Sequence, residues 1–123
     1  QKNSLAVCLD NILRHAGITR NTEYDLAQGK TATTILSENM TGVQVLDLSG
    51  CTLDAVLYYV NQDIPVLAIL EDGEAVLVTG FNEFNVVIME PATGKLYKKG
   101  MNDATAWFAE NGNHFITYMR TEN

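Results

Sequence analysis

A chain of 123 residues with 46% hydrophobic content suffices for one domain that buries about two-thirds of the surface its unfolded chain exposes. With 15 acidic against 8 basic residues the formal charge is -7, a field that repels phosphate backbones and speaks against nucleic acid as a partner. The longest apolar runs, such as Ile64 to Leu70, fall far short of the roughly 20 residues a bilayer crossing needs, so membrane insertion is not expected.

The chain opens on Gln1-Lys2-Asn3, close to its first helix and with nothing resembling a signal peptide. The expectation is a single domain over residues 1–123, excised from a larger protein. From Ser4 to Ala16 the apolar residues Leu5, Cys8, Leu9, Ile12, Leu13 and Ala16 form an i, i+3, i+4 stripe, with Ser4 expected as N-cap and Gly17 as the stop. Two short helices are predicted over Thr22 to Gln28 and Thr33 to Glu38, parted by Gly29-Lys30 and ended by Asn39 and Gly42. Val43 to Leu48 alternates like a half-buried strand. Ser49-Gly50-Cys51-Thr52 then leads into a helix from Leu53 to about Gln62, capped by Thr52 or a neighbour.

Beyond Gln62 the pattern changes to strands divided by turn signals. Ile64 to Leu70, Ala75 to Thr79, Val86 to Met89 and Lys95 to Lys98 are parted by Asp72-Gly73, Asn82 to Asn85 and Pro91 to Gly94, which predicts an antiparallel meander. Asn102-Asp103 is expected to cap a last helix carrying Ala106, Trp107 and Phe108, and Phe115 to Met119 supplies a closing strand. Helices first and sheet second make this an α+β domain. Two cysteines, Cys8 and Cys51, are too few for a disulfide framework and fit no zinc spacing; they pair only if the fold brings them together.

Landmarks along nearly the whole chain resemble, in order, the papain-like peptidases that clip double-glycine leaders from bacteriocins, and their bacterial relatives. Ser4 to Leu13 matches the helix that begins with the family's nucleophilic Cys, which lies thirteen residues before a Gly; counting back from Gly17 lands on Ser4. Ile64-Pro65-Val66 resembles the family's Pro-Val strand. Glu74-Ala-Val-Leu-Val-Thr-Gly80 resembles the strand that opens with the catalytic His, and Glu90-Pro-Ala-Thr-Gly94 the Asp-Pro-x-x-Gly that closes the next strand.

The resemblance implies a papain-like cysteine-peptidase fold, N-terminal helices packed on a C-terminal antiparallel sheet. It also implies that Ser4, Glu74 and Glu90 stand where the family has Cys, His and Asp. The family's oxyanion-hole Gln would lie before residue 1, and Gln1 itself is too close to Ser4 to serve. Imidazole takes a thiol's proton because its pKa lies near 6.5; a carboxylate is about two units more acidic, and a serine hydroxyl is much harder to deprotonate than a thiol. Losing nucleophile and base together removes catalysis on roughly the millionfold scale. The expected function is therefore a catalytically inactive homologue that binds an extended peptide or protein segment in the groove between helices and sheet. It takes no cofactor and no metal, its oligomeric state is open, and the resemblance implies an extracellular or cell-envelope setting in a bacterium.

Each candidate also has an ordinary role. Capping explains Ser4. Cys8 is the alternative nucleophile, near a helix start and able in principle to cleave a peptide or isopeptide bond, yet it shares the apolar stripe of Leu5 and Ile12, as a core cysteine does. Cys51 precedes a helix with no His placed near it. His15 suits a helix C-terminus, and His114 is a displaced base only by the scarcity of His. Glu74 and Glu90 could form an acid-base pair on neighbouring strand ends, although solvated carboxylates are the commoner reading; a cation site needs more converging oxygens than they offer.

Overall fold

A computed structural model describes residues 2–121, so Gln1, and any role for it beside Ser4, lies outside the described residues. The apolar stripe forms helix α1 (Ser4–His15), and Asn3, not Ser4, is its N-cap: Asn3 Oδ1 accepts from Leu5 N at 2.8 Å and Ala6 N at 3.3 Å. An amide oxygen one residue earlier reaches the same orphan N–H groups, which frees the Ser4 hydroxyl. Gly17, at φ 84°, ends the helix in a Schellman motif, with Gly17 N donating to Arg14 O and Ile18 N to Leu13 O.

Helices α2 (Glu23–Ala27) and α3 (Ala32–Asn39), strand β1 (Val43–Asp47) and helix α4 (Leu53–Val60) follow, with Thr52 capping α4 through Ala55 N. Then come β2 (Val66–Ile69), β3 (Ala75–Phe81), β4 (Asn85–Met89), β5 (Leu96–Gly100), α5 (Met101–Glu110) and β6 (His114–Arg120). Helix α5 starts directly after β5 with Gly100 in the cap position and no side-chain cap; the expected caps Asn102 and Asp103 lie inside its first turn, where Asp103 complements the helix dipole.

All strand pairs are antiparallel, in the order β1-β6-β2-β3-β4-β5. The meander β2 to β5 is as expected, and β6 enters between β1 and β2. Strand alternation sends Leu67, Leu77, Met89 and Ile116 to one face, where they pack with Cys8, Leu9, Ile12, Leu13, Ile35 and Leu36 of α1 and α3. Val66, Val78, Val86, Ile88 and Phe115 pack on the other face against Leu53, Val56 and Leu57 of α4 and Phe108 of α5. The α+β class holds, with helices on both sides of the sheet. Cys8 and Cys51 pack on opposite faces, and both are free thiols.

Candidate functional site

The N-terminus of α1 meets the start of β3. Asp72-Gly73 turns the β2–β3 hairpin, with Gly73 at φ 86°, Leu70 N donating to Glu74 O at 2.8 Å and Glu74 N to Asp72 Oδ1 at 2.9 Å. The Leu70–Glu74 bond turns the N–H of the next residue, Ala75, away from β2 and toward β4. Continuing the Leu77–Met89 register puts Pro91 opposite Ala75, where β4 has already given way to its turn. The orphaned N–H is taken by Ser4: Ala75 N donates to Ser4 Oγ at 2.9 Å, across 71 residues of sequence. The half-buried Ser4 thus sits against position 75, the residue after Glu74 in sequence.

The carboxylates are disposed differently. Glu74 is exposed, and among the described residues its side chain makes no hydrogen bond or ion pair. Glu90 is half-buried beside Val76 in the continued register, but its carboxylate serves its own turn: Thr93 N donates to Glu90 Oε1 at 3.1 Å, and Gly94 N to the Glu90 carbonyl at 2.8 Å.

Cys8 lies one turn beyond Ser4, with no accessible surface. Burial pushes its thiol from the ordinary 9.0 up to about 12, and the negative Glu90 nearby adds to the rise. Burial and Glu90 also raise the Tyr97 phenol. Among the described residues, neither Ser4 nor Cys8 has a side-chain base within hydrogen-bond reach.

The histidines serve elsewhere. His15 stands at the far end of α1, about 16 Å from Ser4 along the axis. Its Nε2 lies 2.9 Å from the carbonyl of Asp63, a residue at φ 63°, tying α1 to the α4–β2 loop. His114 is in a row with Ile69 and Ala75 across β6, β2 and β3, about 10 Å from Ala75 by two strand spacings. It lines a cavity of about 310 Å³ with Leu5, Leu26, Ile69, Ile116 and Asp47. The Asp47 carboxyl is held below its usual range, first by the Ser49 hydroxyl and backbone N–H and weakly by His114. Sequence reading found neither this cavity nor the Ser4–Ala75 bond. Leu5, beside Ser4, carries the cavity to the α1–β3 junction.

What this arrangement offers is a strand end and helix start in contact, an adjoining apolar cavity with a polar mouth and, among the described residues, no hydrogen-bonded proton-transfer pair. Among the described residues no group of three or more His, Cys, Asp or Glu side chains is placed to hold a metal ion, and no helix is long and apolar enough to cross a membrane. The sequence matches no protein-family model and no curated protein. The fold is similar to the crystal structure of a candidate C39-like peptidase from Bacillus anthracis, with a TM-score of 0.81 over 100% of this chain and 91% of that one, at 14% identity. The likeness carries the fold, a C39-like, papain-like arrangement of helices on an antiparallel sheet.

Proposed function

We propose that this chain is a catalytically inactive papain-like peptidase homologue that binds an extended peptide or protein segment at the α1–β3 junction. The observation that carries the reading is the Ser4 hydroxyl, which accepts from Ala75 N at 2.9 Å and, among the described residues, donates to no side-chain base, in the segment that resembles the peptidases' nucleophile helix. Beside it stands a carboxylate, Glu74, and the Glu90 carboxylate is engaged by Thr93 N. Neither replaces an imidazole as a base near neutral pH. An extended segment needs none of that chemistry to bind, only backbone partners and side-chain pockets, and the cavity lined by Leu5, Ile69 and Ile116 supplies an apolar pocket. A bacterial extracellular or cell-envelope setting belongs to the same proposal and rests on the leader-peptidase resemblance.

The competing reading makes Cys8 the nucleophile of an active peptidase. A thiol with no exposed surface and a pKa near 12 is almost wholly protonated at neutral pH, and the thiolate is the reactive form. Time-resolved alkylation of the native protein at pH 7.5 with mass-spectrometric site assignment decides between them. Cys8 should label at least about 100-fold more slowly than the half-buried Cys51, and at a comparable rate only after denaturation. Rapid native labelling of Cys8, abolished by Cys8→Ala, would restore the peptidase reading.

A further inference from the structure

Strand β5 is an outer edge of the sheet, and it combines features that an edge needing only protection would not have. The bond from Glu90 N to Lys95 O sets the alternation of the β4–β5 ladder. Tyr97 and Lys99 turn their backbone groups inward to β4, and Leu96 and Lys98 turn theirs outward with no strand to receive them.

Beside this edge, on the α1 face, α1 stops short of β5 and leaves a cavity of about 330 Å³. Leu77, Met89, Leu96 and Pro65 line it, with Asn11 and His15 toward the helix. Leu96 is 61% exposed at its margin.

Charge marks the same strand. Lys95, Lys98 and Lys99 are three of the 8 basic residues in a chain of net charge -7, and among the described residues none of the three forms an ion pair. Lys99 lies 4.8 Å from the Trp107 ring centroid on the opposite face from Lys98. Edge lysines alone are a common guard against strand aggregation. An exposed Leu96 between them, bordering an apolar cavity, works against that purpose.

We propose that the β5 edge docks an extended acidic segment of another protein as a seventh, antiparallel strand. The segment's backbone would pair with the outward N–H and C=O groups of Leu96 and Lys98. On the α1 face it would set an apolar side chain into the cavity beside Leu96 and an acidic one beside Lys98, with further acidic side chains near Lys95 and Lys99 on the other face. A second copy of this chain is the poorer occupant, because antiparallel β5–β5 pairing would bring two lysine clusters together. This site is independent of the α1–β3 junction.

The probe is a synthetic ten-residue peptide of two Glu-Glu-Thr-Val-Glu repeats, which in antiparallel register sets Val opposite Leu96 and Glu opposite Lys95, Lys98 and Lys99, compared with a twin carrying Lys in place of Glu. The acidic peptide should bind, more weakly as salt rises from ~50 to ~500 mM, and the basic twin should not. Lys98→Glu should weaken binding about tenfold. Lys98→Pro, which removes an outward N–H while sparing the β4 ladder, should weaken it further than Lys98→Ala. In the unmodified protein, bound peptide should slow hydrogen exchange at the Leu96 and Lys98 amides. Equal binding of the two peptides, no effect of Lys98→Glu, or unaltered exchange at those amides would overturn the proposal. So would protection that follows self-association instead of peptide.

Discussion

The Ser4→Cys/Glu74→His/Glu90→Asp variant, built on a Cys8→Ala background, is expected to gain a reactive thiol at the start of α1. The new sulfur would stand in the first turn of the helix, where the dipole favours a thiolate, and against position 75, so that an imidazole at position 74 starts next to it. An aspartate at position 90 keeps the short acceptor that turn residues use for the following backbone N–H, the role Glu90 now plays toward Thr93, and stands ready to orient the imidazole. Relative to Cys8, with its pKa near 12, a His-paired thiol ionised at neutral pH gains about five decades in thiolate fraction. Lower intrinsic nucleophilicity gives back roughly half of these on the logarithmic scale. Alkylation at the new site should therefore run about 10²- to 10³-fold faster than at Cys8 in the unmodified protein, with Ser4→Cys alone falling between. If the full variant labels no faster than Ser4→Cys alone, residue 74 does not reach the base position.

Removing the Phe108 ring should cost more stability than any surface change. Phe108 is 1% exposed and fixes α5 to the sheet, its ring centroid 5.3 Å from that of Phe115 and 5.0 Å from that of Trp107. Phe108→Ala deletes these contacts and leaves a cavity that close-packed neighbours fill only in part, a loss of about 3–5 kcal/mol. Against the ~5–15 kcal/mol that holds a domain of this kind folded, that is a large share. Urea unfolding should show a much lower midpoint with an unchanged slope, and Trp107→Ala, at a half-buried position, should lower it less. A loss under about 1 kcal/mol for Phe108→Ala would mean that α5 does not close this side of the core.

Periodicity carried most of the architecture. The α1 stripe, the Gly17 stop, the Thr52 cap and the β2 to β5 meander are local features, and each is found where spacing and turn residues put it. The N-terminal cap shifts by one residue because Asn3 and Ser4 are both good caps, and a tertiary demand decides between them. Ser4 is needed by Ala75, whose N–H is stranded where Pro91 ends the pairing of β4, a fact that exists only once residues 4, 75 and 91 are together.

The two-sided burial of β2 was present in the unbroken apolar run Ile64 to Leu70, which does not alternate as a half-buried strand does. The place of β6 between β1 and β2 has no local signal. The cavity lined by Leu5, Ile69 and His114 depends on it and was therefore hidden. At the candidate site, the motif order singled out Ser4, Glu74 and Glu90 as candidates, and only the folded structure shows the Ser4–Ala75 bond and the Glu90–Thr93 turn contact.

The central claim, a peptidase framework that holds a peptide without cutting it, is tested most directly by one experiment. The unmodified protein is incubated with a mixed library of extended peptides at neutral pH. Methyl signals of Leu5, Ile69 and Ile116 are followed by NMR, and the peptides are then sequenced by mass spectrometry. The account predicts shifts of those methyls on binding and intact peptides after prolonged incubation. Peptide cleavage that disappears in Ser4→Ala or Cys8→Ala, or binding that leaves these methyls unmoved, would contradict it.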